Sequence, residues 1–416
     1  MRKFSINIPP HRSLAPSAFV RFALLVIASI GVVSCTKTTI REVVPAAFTQ
    51  SCVASIDYSG PARRQVPKEI WQHDFTRRID GVLPVAMTDA LQNLANDFAR
   101  RAPATSIAVA IPGVGRWATS QGVFNADLGT SLPPEARFQV ASTTKTLTAA
   151  AIMQMEAEGR LLTSSSIEPW FPDAPNARIT TVDHLLRHTS GLVSFNALPS
   201  STLGYRQPRE VIAMAEAVEP QFCPGSNFTY SNTGYAMLGV IIEEIDQRPL
   251  HQSFQERFAS PLGLRHTSLR YQGDDIPVVS GHMGGAPVDV PDRYATSFAA
   301  GGLASTAEDL VTFWHEFLSG QTVSSSTVRT MFMDLAPMDA SGEMFYGRGV
   351  MLYDLPQGPG LMLGHSGGIT GFTSVVAYVV ADDMYVSVVF SDKTTPAEAG
   401  LWAVVQAIRA ARHGER

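Results

Sequence analysis

From residue 88 the apolar positions take up a helical spacing. Leu91, Leu94, Ala95 and Phe98 fall at i, i+3, i+4 and i+7, which predicts a helix near Thr88–Arg101 with Thr88 as its cap. Strand-like runs follow at Ser106–Ile111, Trp117–Phe124 and Phe138–Ala141. From about 142 to 335, helical patterns alternate with loops that carry Pro and Gly. The tail returns to strands at Gly349–Tyr353, Phe372–Val380 and Met384–Phe390. It closes on a helix that Thr395 caps, with Pro396 at its first position and Leu401, Val404, Val405 and Ile408 on one stripe. Strands at both ends around a helical middle predict an α/β (α+β) fold. A sheet domain split into 81–141 and 340–416 would hold a mainly helical insertion, 142–339, and a cleft between two such units is a usual place for a site.

The first 80 residues follow neither period. Arg2, Lys3, Arg12 and Arg21 precede the apolar run Phe22–Val33, and no acidic residue occurs before position 42. A basic start before a 12-residue apolar run reads as a secretory signal, 1–34, too short for a stable membrane span. The run ends Val32-Val33-Ser34-Cys35, which resembles the lipobox of bacterial lipoproteins. That resemblance implies lipidation of Cys35 and a membrane anchor. With Thr36 after the Cys, it implies an envelope location, at the outer membrane in a Gram-negative host. Residues 35–80 read as a tether and a loosely packed lead-in. Export makes a Cys52–Cys223 disulfide chemically possible, and the sequence leaves open whether the two meet.

Composition narrows the function. With 416 residues and 45% hydrophobic content the chain can bury a large core. Its net charge of −5, or −9 once the leader is removed, gives no basic footprint for nucleic acid. No Gly-rich phosphate loop is present, and neither a cofactor nor a metal is implied. His184 and His188 stand at i, i+4, but position 185 is Leu, so no HExxH arises, and His188-Thr189-Ser190-Gly191 reads as a helix end and turn.

Lysine is scarce. Only Lys3, Lys37, Lys68, Lys145 and Lys393 occur, against 27 arginines. An arginine keeps its proton, whereas a desolvated lysine can lose it. Lys145 stands in Ser142-Thr143-Thr144-Lys145, ahead of the Ala-rich, Pro-free stretch LTAAAIMQMEAEG. On a helix, positions i and i+3 are neighbours. The Lys145 amine would then lie over the Ser142 hydroxyl, where a neutral amine can take its proton and create a nucleophile. Of ten tyrosines only Tyr230 is followed two residues on by Asn, in Tyr230-Ser231-Asn232. A phenol near an amine can shuttle protons to a leaving group, and the Asn232 amide can reach both Lys145 and a substrate carbonyl. His365-Ser366-Gly367 follows in LGHSGGITGFTSVV.

These three elements, Ser-x-x-Lys, Tyr-x-Asn and His-Ser-Gly, resemble the serine β-lactamase and penicillin-binding protein superfamily in its class C-like branch, over about residues 85–410. The segments ITTVDHLLRHTSGL and GGLASTAEDL resemble it too. The resemblance implies an acyl-enzyme on Ser142, with Lys145 and Tyr230 as coupled base and acid. It implies Asn232, His365 and Gly367 around the substrate, and an oxyanion hole from the backbone N–H groups of Ser142 and Gly368. His365 departs from the Lys that class C β-lactamases carry in the third motif. It resembles D-Ala-D-Ala carboxypeptidases and esterase-like relatives, and a cationic or hydrogen-bonding His could anchor a substrate carboxylate or tune Tyr230.

Two look-alikes compete. Gly364-His365-Ser366-Gly367-Gly368 spells G-x-S-x-G, but only His413 follows it to complete a triad. His282-Met283-Gly284 imitates the third motif from a Pro-rich loop with no strand expected. The expected function is a serine hydrolase of the envelope, D-alanyl-D-alanine carboxypeptidase-like or esterase-like, taking a small-molecule or peptide substrate. A class C-like β-lactamase is the alternative. The non-enzymatic rival is a lipid-anchored protein that binds peptidoglycan or a partner without turnover. The oligomeric state is not legible.

Overall fold

In the computed structural model the described residues are 52–125, 129–133, 135–198, 204–288 and 291–414. Cys35 and the expected leader, 1–34, lie outside them. Strands β1 (Ala104–Ile111), β2 (Gly115–Asn125) and β3 (Thr130–Ser131) enter a nine-stranded sheet from the N-terminal side. From the C-terminal side come β9 (Ala336–Pro337), β10 (Met344–Tyr346), β11 (Met351–Leu355), β12 (Gly360–Ile369), β13 (Phe372–Val379) and β14 (Met384–Phe390). The order is β3-β2-β1-β14-β13-β12-β11-β10-β9, antiparallel throughout. Ile107 faces Val388, and Val388 faces Val375, so an early strand and two late ones meet in the middle of the sheet.

Both faces of this sheet are covered, which is why its central strands read as continuous apolar runs rather than alternating ones. One face packs Ile107, Val109, Val375 and Val386 against helix α1 (Val85–Phe98) and the C-terminal helix Ala397–Gly414. Leu91, Ala95 and Phe98 are the buried row of α1, and Leu401, Val404, Val405 and Ile408 that of the last helix. The other face packs Ala108, Val376, Tyr378 and Val389 in one core with the helix Ala307–Leu318 and α2 (Thr144–Ala157). Helix α1 begins at Val85, three residues before the expected start, because Pro84 supplies its N-cap. Thr88 lies inside the first turn and donates to the Val85 carbonyl.

Beside the large sheet, β4 (Phe138–Gln139), β5 (Ser268–Leu269) and β8 (Leu303–Ser305) form a small one in the order β4-β8-β5. Contrary to the loop expected around His282, Gly281–Met283 is a strand, β6, paired in a hairpin with β7 (Ala286–Val288). The mirror-symmetric backbone space of Gly284 and Gly285, both at positive φ, allows this tight turn. Helices α3 (Val182–Leu186), α4 (Pro208–Glu216) and α5 (Asn232–Asp246) follow α2 in chain order.

Residues 52–83 run along this body. The Ile56 and Ser59 amides donate to Pro224 and Ser226, Arg64 pairs with Leu335, and Ile70 joins the core. Cys52 and Cys223 form a disulfide with Cα atoms 5.7 Å apart. Among the described residues no helix is long and apolar enough to cross a membrane.

Candidate active site

The small sheet fixes the turn that carries Ser142. The Val140 N–H donates to Leu303, and the Leu303 N–H donates to the Thr144 hydroxyl. Between these clamps Ala141 takes φ +48°, a left-handed conformation that an alanine adopts only when its surroundings impose it. A single 3-10 turn, Ala141–Thr143, then leads into α2. Ser142 is half-buried, and Lys145, one turn on, is fully buried.

The Lys145 Nζ has three polar partners: Ser142 Oγ at 3.0 Å, Asn232 Oδ1 at 2.7 Å and the Ala300 carbonyl at 2.5 Å. Burial drives its pKa well below the ordinary lysine value. A neutral amine has two hydrogens and one lone pair. The amide and carbonyl oxygens can only accept, so they take both hydrogens. The lone pair is left facing the Ser142 hydroxyl, the one partner that can donate. An uncharged amine so placed can remove that proton.

Tyr230 and Asn232 reach the site from the start of α5. Tyr230 is half-buried and hydrogen-bonded to Ser142, and its ring lies 4.9 Å from the Lys145 Nζ. Burial raises its pKa against the lowering effect of the Ser142 hydrogen bond, so the phenol keeps its proton. The Asn232 amide is oriented by its neighbours. Its Oδ1 accepts from Lys145, and its Nδ2 donates to Asn196 Oδ1 at 2.6 Å, leaving one amide hydrogen for another acceptor.

The third motif lies on β12, where the strand closes on Ser142. A Cβ on Gly367 would fall 2.4 Å from the Val140 oxygen and 2.8 Å from the Ser142 nitrogen, so only glycine permits the approach. This brings the Gly367–Gly368 backbone beside the Ser142 N–H. Ser142, Tyr230, His365, Gly367 and Gly368 line one cleft of about 450 Å³. Two such N–H groups at its edge can stabilise a developing oxyanion.

His365 is buried, and both ring nitrogens are engaged. Nδ1 meets the Ser366 carbonyl at 2.7 Å and Nε2 meets the Tyr346 hydroxyl at 3.1 Å. A carbonyl only accepts, so Nδ1 carries the proton and Nε2 accepts from Tyr346. Burial, with the nearby Lys145, pushes the His365 pKa down to about 3. Of the two chemistries open to this histidine, the cationic one is thereby removed and the hydrogen-bonding one kept.

The cleft does contain an exposed ammonium, that of Lys393, which sequence reasoning passed over. It lines the cleft, and its Nζ lies against Gly368, 2.1 Å from where a Cβ would stand. Its backbone is fixed from two sides. The Lys393 N–H donates to the His282 carbonyl, and the neighbouring Asp392 carboxylate accepts from Gly284, Gly285 and Thr394. The scarcity of lysine that singles out Lys145 applies equally to Lys393 and was the available signal.

The histidines at 184 and 188 serve the local backbone. His184 and Thr181 form a reciprocal capping box on α3, and His188 packs against Tyr230.

A family model described as Beta-lactamase matches residues 87–410. Among curated proteins, Penicillin-binding protein 4 of Amycolatopsis lactamdurans is 29% identical over 285 residues, covering 62% of this chain and 73% of that protein. The chain spans from about a third to two thirds of the length of other curated relatives that it matches. Among solved structures, D-amino acid amidase from Ochrobactrum anthropi superposes with a TM-score of 0.70 at 23% identity, over 78% of this chain and 99% of that one. A D-stereospecific amidohydrolase from Streptomyces gives 0.66 at 26% identity, over 77% and 98%.

Proposed function

The chain belongs to the beta-lactamase family, and on that premise we propose that it is a serine hydrolase that works through an acyl-enzyme on Ser142. The observation that carries this reading is the Lys145 amine, buried, with two acceptor-only partners and one hydroxyl. Lys145 takes the Ser142 proton as Oγ attacks the substrate carbonyl. The negative oxygen is held by the N–H groups of Ser142 and Gly368. Tyr230, protonated and hydrogen-bonded to Ser142, gives its proton to the leaving group, and the phenolate so formed takes up the proton that Lys145 removed from Ser142. Water then releases the acyl group by the same path reversed. Asn232 holds Lys145 and offers its remaining amide hydrogen to the substrate.

For the substrate we propose a peptide of the D-alanyl-D-alanine type, with esters and amides as the wider class. The Lys393 ammonium in the cleft supports an anionic substrate end, the charge a neutral His365 cannot complement. The D-stereospecific amidohydrolase relative supports a D-configured one. The Cys52–Cys223 disulfide supports export to an oxidising compartment, where a lipid anchor on Cys35 would hold the enzyme at the envelope.

The test is acylation by a fluorescent penicillin. The wild-type chain is expected to be labelled and Ser142→Ala not. Labelling that survives the substitution takes Ser142 out of its role. Label that never turns over on penicillin, a D-Ala-D-Ala peptide or an ester favours the binding protein without turnover.

A further inference from the structure

We propose that His188 is the positioning residue for the Tyr230 phenol, an inference that rests on the reading of Tyr230 as the proton donor to the leaving group. His188 follows α3 in the left-handed region, at φ +58°, and is buried. It holds Tyr230 from both sides. The Thr229 N–H donates to the His188 carbonyl at 2.9 Å, and the Ser231 N–H donates to His188 Nδ1 at 3.2 Å. Between these bonds the imidazole lies against the Tyr230 ring, centroids 4.2 Å apart. One residue thus holds the N–H of the residue before the tyrosine, the N–H of the residue after it and one face of its ring. Those three restraints aim the hydroxyl at Ser142.

The tautomer follows from the same geometry. An amide N–H only donates, so Nδ1 is the acceptor and the proton of the neutral ring sits on Nε2. That N–H has no hydrogen-bond partner and is enclosed by the rings of Phe228, Tyr235 and Tyr346. A buried donor without a partner and a left-handed non-glycine backbone both oppose folding. They are expected where a residue is kept for what it positions. Lys145 and His365 are the nearby basic groups, and they disfavour a charge on this imidazole after burial itself.

The experiment compares His188→Phe and His188→Asn in the full chain. Phenylalanine keeps a ring but loses the acceptor and the tolerance for positive φ. Asparagine tolerates positive φ and places Oδ1 where Nδ1 stood. The readout is the dependence on leaving group, measured with p-nitrophenyl acetate and an alkyl acetate, because an acid catalyst matters most when the leaving group is poor. His188→Phe is expected to lose about tenfold or more in kcat on the alkyl ester, with a much smaller loss on the p-nitrophenyl ester and little change in KM. His188→Asn should recover most of it. The loss should disappear in a Tyr230→Phe background, since the two residues act as one unit. Equal losses on both esters, or no loss with a folded protein, overturn the inference. Should His188→Phe not fold, an asparagine variant with a disturbed leaving-group dependence equally overturns it. A wild-type chain that neither ester nor penicillin acylates sinks the serine hydrolase reading instead.

Discussion

Lys145 is buried among neutral partners only: a hydroxyl, an amide and a carbonyl. The unfolded chain keeps the proton on this lysine up to about pH 10.4, while the folded chain releases it well below that. Between the two values the unfolded state binds one more proton, so stability rises with pH across that window. Comparing the wild type with Lys145→Met in urea should therefore show the difference in unfolding free energy moving toward the wild type as pH rises from 7 to 9. The shift should reach about 1.4 kcal/mol per pH unit, and a constant difference would mean the amine is charged in the fold. The same substitution should abolish acylation. At this scale the sequence was informative, because a lysine one helical turn from a serine is visible in the letters. The state of His365 was not, since its charge depends on burial and on the nearness of Lys145, which only the folded chain creates.

Elements place these residues by how closely they approach. Strand β12 reaches the Ser142 turn because Gly367 has no side chain. Gly367→Ala would drive a methyl into the Val140 carbonyl and force the strand outward, carrying the Gly368 N–H away from that of Ser142. Acylation by fluorescent penicillin should fall about a hundredfold or more, the effect of losing one oxyanion donor. A wild-type rate would mean the strand yields without consequence. The run LGHSGG has few β-formers, so its strand character could not be read from periodicity. The hairpin at Gly281–Val288 was missed for a similar reason. Strands of three residues leave too few positions for alternation to register, and this one is held by Asp392 from a distant loop. The apolar rows of α1 and of the C-terminal helix were legible because each buries a single stripe.

The whole molecule is closed by contacts that no local pattern encodes. Cys52 and Cys223 stand 171 positions apart, and a bond closing so long a loop removes much freedom from the unfolded chain. Cys52→Ser, Cys223→Ser and the double variant should each lower the unfolding free energy by about 2–5 kcal/mol. One bond underlies all three, so their thermal midpoints should coincide. A double variant clearly weaker than either single one would contradict this. Position along the chain announces which segments are strands, but the order of nine strands depends on which edges find each other. The pairing of β1 with β14 sets its own timetable. Thr105 meets Phe390 across more than 280 intervening positions. At about 5–20 residues per second a ribosome makes β1 tens of seconds before its neighbour exists. Through that interval the central sheet has no middle, and the nascent polypeptide cannot close it until β14 has been made.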